Sequence, residues 1–245
     1  MTGTVRLERD GAIGRIVIDH PERRNALTAA MFRQLADGLA ELDGDTGVRV
    51  IVMRGAGDRA FASGADIGDL HAVGGSPAAP RVGATKPVIA MIHGACMGGG
   101  LLVALGADIR VASEEARFAI PAVRLGVAYP YDGVRHLVTT VGPAAAGEIL
   151  LTGSTFGAAD ALRWGLVSRV VPAPELEDAV TATATAIAEG APLSVRAAKA
   201  SIVAAVGGTP REDAEQAIAA CWASEDFSEG RQAFAEKRRP VFGGR

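Results

Sequence analysis

Residues 1–21, MTGTVRLERDGAIGRIVIDHP, alternate apolar and polar side chains on either side of a glycine, and a period of two broken by a turn residue predicts a β-hairpin. The period then changes. Thr28 stands where a helix N-cap belongs, and Met31, Phe32, Leu35, Leu39 and Leu42 recur at the spacing of one helical face. Residues 48–55, VRVIVMRG, read as a buried strand. Residues 86–94, KPVIAMIHG, predict another, and GACMGGGLLVALGADIRVAS carries glycines into a short helix and then a third apolar strand. Strand, turn, helix and strand in repetition predict an α/β core. From Glu175 onward only helical patterns remain, divided by Gly190-Ala191-Pro192 and Gly207-Gly208-Thr209-Pro210. The expected organisation is therefore a core over residues 1–172 and a helical module over residues 173–245.

Composition narrows the partner. With 245 residues, 49% of them hydrophobic, the chain can bury a core without disulfides. Its 25 basic and 28 acidic residues are spread along the sequence, which gives no field to recruit nucleic acid or an anionic membrane and leaves a small molecule as the expected ligand. The apolar runs at residues 87–92 and 101–105 fall far short of the ~20 residues that span a bilayer, and the amino terminus lacks the apolar run of a signal peptide. Cys96 and Cys221 have neither metal nor redox spacing, so both read as free thiols in a reducing compartment and the chain as cytoplasmic. The Gly/Ala/Pro-rich residues 71–85 read as a mobile surface loop bordering a pocket.

Two glycine-bearing turns carry the candidate chemistry: FASGADIGDL at residues 61–70 and HGACMGGGL at residues 93–101, each after a strand and before an expected helix. A helix start presents unpaired N–H groups, and residues without Cβ let a ligand approach them, so two such turns can share one oxygen. Taken singly, either turn is explained by tight packing. Other motifs are excluded: Leu101 and Leu102 follow Gly100 where a P-loop needs Lys and Ser or Thr, and no GxGxxG or GxSxG occurs. His20, His71, His93 and His136 show no metal-ligand spacing, and no metal is expected.

PERRNAL (21–27), AFASGADI (60–67), KPVIAMIHGACMGGG (86–100) and ADIRVAS (107–113) follow one another in an order that resembles the enoyl-CoA hydratase/isomerase, or crotonase, family. GAADALRWGLVSRVVP (157–172) and FAEKRRPVF (234–242) extend the resemblance over nearly the whole chain. It implies the crotonase (ClpP-like) α/β fold, a superhelical core of stacked β-β-α units with a C-terminal helical module for assembly as a homotrimer or dimer of trimers. It also implies an acyl-CoA thioester as substrate, with coenzyme A bound as part of that substrate and no tightly held cofactor. Position by position, the family's oxyanion hole falls on the backbone N–H groups of Ala65 and Gly99. Its coenzyme contacts fall on Ala62, Phe234 and Lys237, with Lys237 reaching a neighbouring subunit's ligand, and on Arg23 or its neighbour Arg24. Asp66 is expected to cap the following helix.

The acids depart from the family pattern. The resemblance implies one glutamate three residues after the oxyanion glycine and another after the proline of a segment like FAIPAVRLG; here the positions hold Leu102 and Ala122. Neither transfers a proton, and a positioned acid or base contributes about 10²–10⁴-fold, so the usual hydration of an enoyl double bond is not expected. Tyr129 and Asp132, in LGVAYPYDGVRHL at residues 125–137, are the candidate replacements. LGVAY resembles the stretch of the family's decarboxylases in which a tyrosine orients the leaving carboxylate, while Asp132 reads either as a helix N-cap or as a catalytic carboxylate. Malonyl-type decarboxylation or isomerisation, hydration through substitute groups, and acyl-CoA binding without catalysis are the readings left open.

Overall fold

The structure is a computed structural model that describes residues 3–66 and 83–245. Strands β1 (Thr4–Asp10) and β2 (Ile13–Asp19) form the expected hairpin, with Thr4 opposite Asp19 and Asp10 opposite Ile13. Gly11 turns the chain at φ 56°, where a side chain is disfavoured. Helix α1 (Ala29–Gly44) starts where the sequence puts it: the Thr28 hydroxyl accepts the Met31 N–H at 3.2 Å, and Met31, Phe32, Leu35, Leu39 and Leu42 are all buried.

Strands β3 (Val50–Gly55), β5 (Val88–Ile92), β7 (Ile109–Ser113) and β10 (Arg169–Val171) complete a six-stranded sheet in the order β1-β2-β3-β5-β7-β10, parallel from β2 onward. Between them run shorter strands, β4 (Ala60–Ala62), β6 (Ala95–Met97), β8 (Arg117–Ala119) and β9 (Phe156–Gly157), which build a second sheet in the order β4-β6-β8-β9. Three times, then, the chain leaves one sheet for the other: β3 to β4, β5 to β6 and β7 to β8. Helix α2 (Gly99–Leu105) follows the second crossing; α3 (Ala122–Leu125) and α4 (Tyr131–Thr152) follow the third. Gly142, at φ 76° and ψ 164°, breaks α4 just before Pro143, which cannot continue the helical hydrogen bonding behind it.

All five residues of β5 are buried because both faces of the first sheet are covered. One face meets the second sheet, where Phe118 stacks on Phe156 with ring centroids 5.5 Å apart. On the other face Val50, Val52, Ile89, Met91 and Val111 meet Leu176, Val180 and Ala184 of α6 (Leu176–Glu189). Helices α5 (Ala158–Arg163), α7 (Pro192–Ala205), α8 (Arg211–Trp222) and α9 (Glu225–Glu236) complete the described chain.

Polar joints gather where the strands of the first sheet begin. Asp43 accepts the N–H groups of Thr85 and Lys86 at 3.0 and 2.9 Å, and the Lys86 ammonium donates to the carbonyls of Leu42 and Asp45. Lys199 on α7 donates to Asp108 and to the Lys86 carbonyl, both at 2.8 Å, and Arg49 donates to the carbonyls of Ala188 and Phe242. Among the described residues no helix is long and apolar enough to cross a membrane.

Candidate functional site

Beyond the opposite ends of those strands, after β4 and β6 of the second sheet, lie the two glycine turns. The first is held by backbone and by one buried amide. Asn25, 1% exposed and left-handed at φ 58°, receives the His20 N–H on Oδ1 at 2.9 Å and donates from Nδ2 to the carbonyls of Ala56 and Ala60. That pins the PERRNAL segment to the β3–β4 connection. Leu27 then bridges the turn: its N–H donates to Gly64 and its carbonyl accepts from Asp66, both at 2.8 Å. The Ala65 N–H between them stays outside this ladder. Ser63 donates to the Arg23 carbonyl, and the Arg23 guanidinium meets Asp66 at 2.6 Å. Asp66 therefore spends an oxygen on Arg23; the helix expected after it lies outside the described residues, as does most of the 71–85 loop.

The second turn is held by volume. Strand β6 delivers the chain to Gly98, whose N–H donates to Ala119 at 2.8 Å and whose φ of 47° suits glycine. Gly99 opens α2, so its N–H has no intrahelical acceptor. A Cβ on Gly100 would stand 2.4 Å from the Ala62 carbonyl oxygen, so only glycine lets α2 settle against β4. A Cβ on Gly99 would stand 3.2 Å from the Ala65 nitrogen and 3.2 Å from Phe32 Cζ. The notch beside Gly99 is thus within hydrogen-bond distance of the Ala65 N–H and walled by the Phe32 ring. Two N–H donors bordering one notch can hold a single oxygen and stabilise negative charge growing on it.

The wall beyond is apolar. Leu102 and Ala122 are buried, at 4% and 7% exposure, in the same core cluster. Tyr129 packs on that cluster, and its hydroxyl is buried without a hydrogen-bond partner among the described residues. Burial, reinforced by the Cys96 thiol, pushes its pKa well up, so the phenol stays protonated and remains a donor. Asp132 departs from the cap expected of it: Pro130 is the N-cap, and Asp132 lies inside the first turn with a 75% exposed carboxylate, 3.8 Å from Arg135. Proline's fixed φ, here −65°, starts the helix two residues early.

The remaining expected contacts do not all converge within one chain. Ala62 is fully buried behind Gly100, and Arg23 flanks the first turn with a 63% exposed side chain. Phe234 is 88% exposed on α9, and Lys237 ends that helix at φ 56°. The tail around them is tied by Arg238 to Glu229 and, through Phe242, to Arg49 at the start of β3. Two clefts, of about 520 and 650 Å³, lie near α1, Thr85 and α7, lined in part by Arg196, and neither is bordered by Ala65, Gly99 or Tyr129. The donor turns and the two clefts are separate places in the fold. Asn25, Phe32 and Gly133 are not expected at the site from the sequence: Phe32 stands out only as part of a helical face, and the Asn of PERRNAL only as a residue type that tolerates left-handed backbone.

Two sheets crossed repeatedly by one chain, with glycine turns presenting N–H groups after strands of the second sheet, are the architecture of crotonase-type acyl-CoA enzymes. A crystal structure of an enoyl-CoA hydratase/carnithine racemase from Magnetospirillum magneticum matches at a TM-score of 0.91 and 36% identity, covering 98% of this chain and 96% of that one. Enoyl-CoA hydratase from Bacillus anthracis matches at 0.90 and 29% identity, covering 98% and 99%. The chain belongs to the enoyl-CoA hydratase/isomerase family, whose model matches residues 8–245. Probable enoyl-CoA hydratase echA8 of Mycobacterium tuberculosis is 36% identical over 98% of this chain and 97% of its own length. Carnitinyl-CoA dehydratase of Proteus mirabilis is 35% identical, each chain covered completely.

Proposed function

We propose that this family member is a lyase acting on malonyl-type coenzyme A thioesters, releasing carbon dioxide through an enolate held by the N–H groups of Ala65 and Gly99. The bond between Cα and the carboxylate breaks, its electron pair passes into the thioester as the enolate, and Cα then takes a proton from water. No base is needed to reach the enolate, so the route suits a wall made of Leu102 and Ala122. The carrying observation is the buried hydroxyl of Tyr129, protonated and without a partner among the described residues. Leaving such a donor unsatisfied costs about 1–3 kcal/mol, which a substrate carboxylate relieves by accepting its hydrogen bond. Hydration through Asp132 is disfavoured by that carboxylate's exposure and its pairing with Arg135.

On this reading coenzyme A is recognised across subunits, as in a trimer. Phe234 and Lys237 are supported in that role by their exposure on a tail anchored to the strand-start edge, away from the turns of their own chain. Arg23 stands at the rim and offers a cation to the phosphates. The test is carbon dioxide release from malonyl-, methylmalonyl- and ethylmalonyl-CoA, with products identified by mass. Release that falls at least tenfold in Tyr129→Phe is the expected result; no release from any of the three overturns the reading.

A further inference from the structure

Glycine at position 133 is not required by backbone conformation, for it is the third residue of α4 and has helical dihedrals. Space requires it. A Cβ there would stand 2.7 Å from Leu102 Cδ2, inside any normal contact, and 3.7 Å from Pro130 Cγ. Leu102 has little freedom to withdraw, because every residue of α2 from Gly100 to Leu105 is buried. The side chain that replaces the family's first glutamate is therefore seated in a notch on α4. Three positions ahead of Gly99, α2 bears the notch's occupant; four positions behind Gly133, the chain bears Tyr129.

We propose that Leu102 and Gly133 form a size-matched clamp that holds the start of α4 against α2 and thereby places the Tyr129 hydroxyl opposite the oxyanion donors, making Gly133 a positioning residue of the site. Its catalytic consequence rests on the Tyr129 role assigned above; the clamp itself does not. Without the notch, leucine at 102 would lift α4 or turn aside into a full core. With it, a hydroxyl set two residues before the helix is kept inside the protein.

Tyrosine ionisation tests this without any turnover. The chain has two tyrosines, and Tyr131 is 78% exposed, so Tyr131→Phe leaves Tyr129 as the sole phenol to be followed by its alkaline absorbance. In that background Tyr129 is expected to stay silent past the ordinary value of about 10 until the fold is lost. Adding Gly133→Ala is expected to bring its ionisation down toward that value, and adding Leu102→Val, which removes the colliding methyl, to send it back up. Decarboxylation kcat should fall about 10²-fold in the Gly133→Ala protein, the scale of a ~1 Å misplacement, with KM nearly unchanged, and recover with the second substitution. A silent Tyr129 in folded Gly133→Ala protein overturns the clamp. Should that variant not fold, Leu102→Ala in the Tyr131→Phe background decides: ionisation near the ordinary value supports the clamp, and silence overturns it. A shift and rescue in a protein that turns over no malonyl thioester would remove the decarboxylation reading and leave the clamp standing.

Discussion

The two turns that face each other across the site are built in opposite ways. The first, around Ala65, is assembled by hydrogen bonds: Asn25 to three backbone groups, Leu27 to two, and Arg23 to Asp66. The second, around Gly99, is assembled by close packing, with Gly100 against Ala62, Phe32 beside Gly99 and a helix buried from Gly100 to Leu105 behind. A hydrogen-bonded turn fails when a polar partner is removed and leaves others unsatisfied. A packed turn fails when volume is added. Among the described residues both leave one N–H without an acceptor, and the two failure modes can be separated.

The largest effect is expected from Gly99→Ala, whose methyl would occupy the notch 3.2 Å from the Ala65 nitrogen. Turnover should drop by about 10²–10³-fold or more at saturating thioester, the loss seen when one preorganised donor is removed. The melting temperature should hardly move; a large drop would place the glycine's role in folding. Asn25→Ala should reverse that balance. It strands the His20 N–H and two carbonyls and puts alanine at φ 58°, so destabilisation of roughly 3 kcal/mol is expected by denaturant titration. A loss under 1 kcal/mol would show that Leu27 alone holds the first turn. Phe32→Leu should sharpen the contrast on the packed side, costing about 1–1.5 kcal/mol and loosening the Gly99 wall, with turnover reduced a few-fold. The smallest change is expected from Arg23→Ala: the ion pair with Asp66 is largely exposed on the arginine side and worth roughly 0–1 kcal/mol. Any fall in affinity for the thioester in that variant, fading as salt rises, would report a phosphate contact, whereas unchanged affinity would confine Arg23 to the turn.

Much of this architecture was legible in the sequence because it is local. The hairpin about Gly11, the helix capped by Thr28 and the strands at Val50 and Val88 follow from period and turn chemistry in windows of a few residues. The glycine turns were legible as turns. Their supports were not, because the contacts join residues far apart in sequence. Nothing in the Asn of PERRNAL announces that it will bond carbonyls at 56 and 60, and a glycine at 133 looks like an ordinary helix residue until Leu102 is brought against it. Asp132 was misplaced for a different reason: its residue type suits a cap, but the proline two positions earlier had already begun the helix. Phe234 is exposed on α9, and the contact proposed for it lies with a neighbouring subunit, which no window of the sequence displays.

The polar joints around Asp43, Lys86, Asp108 and Lys199, with Arg49 beside them, sit at the beginnings of β3, β5 and β7, while the two donor amides sit past the ends of the neighbouring strands. Drift in descendants of this chain can therefore proceed along two separate edges. Substitutions among the joints are expected to alter heat tolerance and the seating of α7 at a distance from the donor amides, and exchanges at Leu102, Ala122, Tyr129 or Gly133 to alter the proposed reaction. A scaffold divided in this way permits new chemistries to be sampled while its support is conserved.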